Sequence, residues 1–436
     1  MKRMLISIIL VLLQLNCERI IRPKLTETAT VELEVVAGLV TDAYIRLKPL
    51  DLPANSQVMV YRDGKRWLEF NGLAGDTVLH DWGLPAGREV CYQAEVRKSG
   101  VVVGRSNEVR VALRPTTSHE VTWSVYEFES FYGTGVLQDV TIVNDKDIWV
   151  VGEIYSDDEK PFEPYNAVHW DGRNWELKRI KTNACGGVDY PPIKTVIKID
   201  DNTLAFGHKD ASITLFRNDE YVNDCSYINE INGSIWSMWG PDIKNLYIGS
   251  HDGIISRYNG NQWEKLIAVN NLYIQDIYGS NAEVLAIASD FYHRPGSELI
   301  RIEGDRAEVI ADSTKILRGM AGLWFSSGEE YWLAGSGIYR ARINPNSWDE
   351  IKDIPDYFAF SIAATDVNDI WVVGGYGMII HYNGKSWYNY LEKELPKING
   401  NYYSVAVDAN QVVIVGLQLT NTGYGSKGII LMGKRR

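Results

Sequence analysis

The sequence lacks the features by which several function classes announce themselves. Lys and Arg number 44 against 56 Asp and Glu, a net charge of −12. Phosphate backbones need a basic surface, so nucleic acid is excluded as a partner. Beyond the N-terminus no apolar run reaches about 18 residues, which excludes an internal helical membrane span. Four cysteines occur, Cys17, Cys91, Cys185 and Cys225. None forms a Cys-x-x-Cys pair or a His/Cys cluster at metal spacing, so no metal is expected. There is no Gly-x-Ser-x-Gly elbow, no His-Glu-x-x-His and no phosphate-binding Gly loop. No catalytic residue and no cofactor are therefore assigned.

What is present points to β structure. Among 436 residues there are 14 Trp, 25 Tyr and 38 Gly, and the chain is 45% hydrophobic. It is too long for one ordinary core, so two or more domains or a repeat array are expected. Repeats are visible directly. Asp369–Trp387 reads DIWVVGGYGMIIHYNGKSW, Asn245–Trp263 reads NLYIGSHDGIISRYNGNQW, and Asp147–Glu153 with Ala167–Trp175 reads DIWVVGE and AVHWDGRNW. The residues closing the second strand of each unit are Gly152, Gly207, Gly249, Ala288, Gly335, Gly374 and Gly416. Their spacing of about 40–50 residues leaves room for four strands, the period of a β-propeller blade.

Turn chemistry supports the register. Asp171-Gly172, Asn218-Asp219, Asn259-Gly260, Glu303-Gly304, Asn344-Pro345 and Asn383-Gly384 are expected as tight turns between third and fourth strands, where positive φ is tolerated. Outer strands are expected to open at Trp175, Tyr221, Trp263, Trp348 and Trp387. The seventh unit has only three strands at the C-terminus. Glu120–Glu129, EVTWSVYEFE, is expected to supply the fourth and remove the free edge. The fold class expected is all-β: a seven-bladed propeller over 119–436, closed by this N-terminal outer strand, after a β-sandwich over 29–115.

Three resemblances follow from these residues. The DIW-x-VG and NG-x-SW repeats resemble those of a loosely defined group of bacterial secreted propellers. Val58–Lys65 (VMVYRDGK), Asp76–Gly87 (DTVLHDWGLPAG) and Ser106–Pro115 (SNEVRVALRP) resemble a fibronectin type III domain. That match departs at the family's corner tyrosine, where Val90 stands and Tyr92 follows two residues later. At the N-terminus, Lys2 and Arg3, the apolar run Met4–Leu15 and then Cys17 resemble a bacterial lipoprotein signal. This implies removal of 1–16, lipidation of Cys17, a tether over 17–28, and a chain exported to the cell envelope and anchored to a membrane. In an exported chain Cys185 and Cys225 could pair or stay free.

Two groups of residues are candidates for function. One is a ring, nine residues before the first core residue of each second strand: Asp139, Thr195, Ser237, Asp276, Gly322, Ser361 and Ser404. All are small or polar and are expected on the axial channel, as packing residues or as a polar mouth. The other is the face bearing the long second-to-third loops and inter-blade connections, where binding residues concentrate. It carries Tyr155, Asp157, Asp158, Phe162, Phe291, Tyr292, His293 and Arg294. His169 and His381 occupy a position held by Arg in other repeats, so both read as structural. The expected function is non-catalytic binding of a protein or glycan by a membrane-anchored monomer. The alternative is a carbohydrate-active enzyme using Asp139 or Asp276 as acid or base.

Overall fold

The computed structural model describes residues 29–129, 134–156, 158, 160–182, 185–231, 233–269, 272–280, 283–290, 296–316, 318–391, 393–420 and 425–435. Cys17, Asp157, Phe291, Tyr292, His293 and Arg294 lie outside them. The chain is all-β apart from a five-residue helix, Ser226–Glu230, among the described residues. It divides into two compact units between Arg114 and Pro115.

The first unit holds two antiparallel sheets over one core. Thr30–Gly38, Asp42–Asp51 and Thr77–Trp82 form one sheet. Lys65–Asn71, Gln57–Arg62, Glu89–Lys98 and Val101–Arg105 form the other, with Val109–Ala112 also pairing to Glu89–Lys98. Alternation places Leu33, Ile45, Leu47, Val58, Val60, Val90 and Val96 in the shared core. Val35 breaks the expected alternation. A bulge between Val35 and Ala37 turns it outward, to 41% exposure. Tyr92 is fully buried, and its hydroxyl donates to Asp81 Oδ2 at 2.7 Å. Arg62 Nη1 holds the other Asp81 oxygen at 2.7 Å. A side-chain carboxylate thus receives the tyrosine where the sequence pattern had displaced it.

The second unit contains seven four-stranded antiparallel sheets among the described residues. Their first strands are Gly135–Asn144, Ile193–Asp200, Ile235–Asp242, Tyr273–Gly279, Met320–Ser326, Ala359–Asp366 and Gly400–Val407. Each packs against the first strand of the next sheet, and the last packs against the first. Six sheets are continuous in sequence. The seventh takes its outer strand, Val121–Phe128, from the front of the unit, paired with Ser426–Arg435 in the register Gly428↔Phe128 to Arg435↔Val121.

Close approach explains the recurrent glycines. A Cβ at Gly152 would sit 2.0 Å from Val136 O, and one at Gly416 would sit 2.0 Å from Asn401 O. The same collision recurs at Gly335 and Gly374, at 2.3 and 2.2 Å from a backbone oxygen. The second strand there lies directly on the backbone of the inner strand.

Asn218-Asp219 is a two-residue turn as expected, and other tight turns differ. Asp171–Asn174, Asn259–Gln262 and Asn383–Ser386 are four-residue connections, not two-residue turns. The leading side chain is the reason. Asp171 Oδ1 accepts from the N–H of Arg173 and Asn174, both at 2.7 Å, and Asn383 Oδ1 accepts from Lys385 and Ser386 at 3.0 and 2.8 Å. Asn and Asp are selected as local acceptors, while Gly172, Gly260 and Gly384 supply the positive φ. The turn expected at Glu303-Gly304 lies one residue later, at Gly304-Asp305, and the strand expected at Trp348 opens at Asp349.

Cys185 and Cys225 form a disulfide across 40 residues. It ties the connection before the second sheet to the one after it. His169 and His381 share one arrangement. Each bonds the carboxylate that opens its sheet's second strand, Asp147 at 2.9 Å and Asp369 at 3.0 Å, and stacks on Trp149 or Trp371 at 4.3 Å. In the third sheet Arg257 does the same to Asn245, at 2.7 Å. His and Arg alternate there because either can donate to the strand opening and cover an aromatic ring.

Candidate functional site

The site begins with an irregularity repeated seven times. In every inner strand the register slips at the same repeat position: between Leu137 and Asp139, Ile193 and Thr195, Ile235 and Ser237, Ile274 and Asp276, Met320 and Gly322, Ala359 and Ser361, and Tyr402 and Ser404. The unpaired residues are Gln138, Lys194, Trp236, Gln275, Ala321, Phe360 and Tyr403. A bulge turns a strand so that two consecutive side chains leave on the same side. Six ring residues, Asp139, Thr195, Ser237, Asp276, Ser361 and Ser404, and all seven bulge residues therefore line one cavity of about 620 Å³.

The sequence singles out the ring positions and gives no equal prominence to the bulge residues beside them. Their signal was present. Each inner strand reads apolar-x-x-apolar, with the flanking pairs Leu137 and Val140, Ile193 and Val196, and Ile274 and Ile277 all buried. A regular strand would alternate with period two, so two successive residues between buried ones mark the slip.

The two ring carboxylates differ sharply. Asp139 accepts four hydrogen bonds: Val140 N at 2.9 Å, Thr195 Oγ1 at 2.9 Å, Val196 N at 2.9 Å and Ser404 Oγ at 2.7 Å. It thereby bridges the first sheet to the second and to the seventh. Burial pushes its carboxyl above the usual range, and these four donors work against that shift. Asp276 receives the equivalent backbone bond, Leu323 N to Oδ2 at 3.0 Å, but no hydroxyl. Where Asp139 has Thr195, Asp276 has Gly322. Where Asp139 has Ser404, Asp276 has Ser237, whose Oγ is buried without a partner. Burial, with the charge of Asp139 adding to it, raises the Asp276 carboxyl to about 7.

The bulge residues are chemically diverse where the ring is uniform. Lys194 Nζ donates to Gln138 Oε1 at 2.7 Å and lies 4.0 Å from the Trp236 ring. Burial, then the charge of Lys209, lowers its ammonium to about 8. Across the cavity Phe360 meets Tyr403 edge-on at 5.1 Å and Phe358 at 4.9 Å. The aromatic surface continues to Tyr357 and Tyr376, with Lys397 Nζ 5.1 and 5.0 Å from their rings. Tyr376 is 51% exposed and has φ of 58°, an unfavourable conformation for a bulky residue.

Of the candidate loop residues within the described structure, Asp158 is committed internally. It accepts from Tyr165 Oη at 2.7 Å, from Lys160 N at 2.9 Å and from Arg179 Nη2 at 2.8 Å. These donors hold its carboxyl down at about 2, the tyrosine bond contributing most. It orders its own loop and is not a free ligand group. Tyr155 Oη lies 3.5 Å from Glu153 Oε2. Phe162 is 82% exposed. Among the described residues no three His, Cys, Asp or Glu side chains come together as a metal site.

No protein-family model and no curated protein matches the chain. Solved structures do. The chain is similar to YCF48 bound to a D1 peptide, with a TM-score of 0.55 and 15% identity over 74% of this chain and 100% of that one. It is also similar to YCF48 from Cyanidioschyzon merolae, with a TM-score of 0.51 and 14% identity over 71% of this chain and 98% of that one. At such identities the likeness is one of fold, and that fold is a β-propeller.

Proposed function

We propose that this chain is a non-catalytic binding protein. A seven-bladed propeller engages a protein partner through its axial cavity and the loop face around it. A fibronectin type III-like sandwich and a lipid on Cys17 hold it at a membrane of the cell envelope. The observation that carries the reading is the sevenfold bulge. It projects Trp236, Phe360 and Tyr403 from a rigid scaffold into one cavity, and aromatic side chains are what protein recognition concentrates. The propeller likeness includes a relative with a bound peptide, which favours a protein over a glycan as partner. The carbohydrate-enzyme alternative loses Asp139, because a carboxylate accepting four hydrogen bonds has no free lone pair for acid–base work.

Capture from envelope extracts on the immobilised full chain tests this. Wild type should retain a partner that Trp236→Ala and Tyr403→Ala, both folded by circular dichroism, release. Equal retention by both variants removes the cavity from the interaction. Mass spectrometry of the mature N-terminus tests the anchor: a lipidated Cys17 supports it, and an unmodified or disulfide-bonded Cys17 overturns it.

A further inference from the structure

The incomplete hydrogen-bond shell of Asp276 has a direct internal standard in Asp139. Both residues occupy the same ring position, follow a glutamine at the bulge, and accept the backbone N–H two residues beyond the bulge of the next sheet, Val196 for Asp139 and Leu323 for Asp276. Two hydroxyls complete Asp139. Neither has a counterpart at Asp276, because Gly322 has no side chain and Ser237 Oγ is buried away without a partner. The Asp276 carboxylate therefore faces the cavity with acceptor sites that the protein does not fill.

The surroundings favour a positively charged donor. The charged groups facing the cavity are Asp139, Asp276 and Asp408 against Lys194. Lys194 is already held by Gln138 and Trp236. A buried carboxylate lacking donors gains most from a cationic one. The bulge residue of the next sheet is Ala321, the smallest of the seven, so the cavity is open beside Asp276. Phe360 and Tyr403 supply aromatic faces on the following sheets, and a planar guanidinium can stack on such faces while it forks onto a carboxylate. A hard cation is disfavoured, since Asp139 is saturated and, among the described residues, no three His, Cys, Asp or Glu side chains come close enough to share one.

We propose that Asp276 anchors a guanidinium group inside the axial cavity, the arginine side chain of a partner polypeptide. This rests on reading the cavity as the partner-binding part of the propeller. It names the chemistry that the cavity selects.

Binding and ionisation are then linked. Free Asp276, at about 7, is part-protonated at neutral pH, and a guanidinium binds only its ionised form. Affinity should rise with pH through 7 and level off above it. The other groups facing the cavity do not reproduce this. Lys194, at about 8, titrates about one unit higher. Tyr278 is pushed up by burial, away from neutral pH. Asp139, the other cavity carboxyl raised by burial, has no free acceptor.

The test is calorimetric titration of the full chain with acetyl-Gly-Arg-Gly-amide, with the same peptide carrying citrulline, and with agmatine. The arginine peptide should bind at pH 8, should bind at pH 7 with proton uptake by buffer, and should bind at least about tenfold more weakly in Asp276→Asn. The citrulline peptide should not bind measurably. Ala321→Trp, which occupies the space beside Asp276 and keeps its carboxylate, should abolish binding. Agmatine binding with no peptide binding overturns the polypeptide source and assigns the anchor to a free alkylguanidine. Equal binding of the citrulline peptide, or an Asp276→Asn variant that binds as wild type, overturns the proposal. If partner capture survives in Asp276→Asn while the arginine peptide fails to bind wild type, this inference falls and the binding function stands.

Discussion

Ser404 Oγ donates to Asp139 Oδ1 over 2.7 Å, joining residues 265 apart in the chain. The same carboxylate takes Thr195 Oγ1 and Val196 N from the second sheet. One side chain therefore fastens the first, second and seventh sheets at the axis, where the outer pairing of Val121–Phe128 with Ser426–Arg435 cannot reach.

Removing that donor should loosen the closure. Ser404→Ala deletes one bond to a buried carboxylate, worth about 1.5–3 kcal/mol. Denaturant unfolding should show the loss in the transition of the second unit and leave that of the first unchanged. A midpoint equal to wild type would mean that Ser404 contributes nothing to closure.

Acid should weaken the same unit through a second contact. Asp369 can only accept, so His381 Nε2 carries the proton toward it and His381 Nδ1 accepts from His119 Nδ1 at 2.8 Å. Burial lowers both imidazoles, His119 to about 4, with the charges of His381 and Lys393 adding to it. Against the effect of burial, bonds from His381 and Arg435 hold Asp369 down at about 2. An unfolded histidine titrates near 6.5. Between that value and about 4 the unfolded chain binds more protons than the folded one. This contribution is complete above about pH 6.5 and is lost as pH falls toward 4. Melting temperature against pH should show that slope, and His119→Gln should flatten it. An unchanged slope in the variant would assign it to other groups.

Reduction should destabilise the second sheet and its flanking connections. The Cys185–Cys225 bridge closes a loop of 40 residues, for which chain entropy suggests roughly 4 kcal/mol, usually less in practice. Cys185→Ser should lower the denaturant midpoint, and reductant should lower wild type to match. A midpoint insensitive to both would show that the bridge is absent in solution.

Gly152→Ala should cost about 1–3 kcal/mol. The added Cβ would stand 2.0 Å from Val136 O, and backbone cannot swing aside as a flexible side chain can. Gly75→Ala, with nothing within 4 Å of its Cβ, is the matched control. Equal midpoints for the two variants would refute the close-approach explanation of these glycines.

The sequence by itself determined the all-β class, the repeated four-stranded units and the strand that completes the last sheet. These follow from local signals that recur along the chain: alternation, Asn and Asp at turn openings, and glycine where strands touch. The turns were misread because Asp171 and Asn383 act through side-chain acceptors as well as conformation, and their sequence looks the same either way. Only the tertiary structure decided how Asp139 and Asp276 differ. Their neighbours in sequence are alike, and the donors that distinguish them, Thr195 and Ser404, come from other sheets. The same holds for the bulge residues, for Cys185 with Cys225, and for His119 with His381. Each depends on which sheets become neighbours when the inner strands pack in cyclic order, a relation between distant residues that no local period encodes.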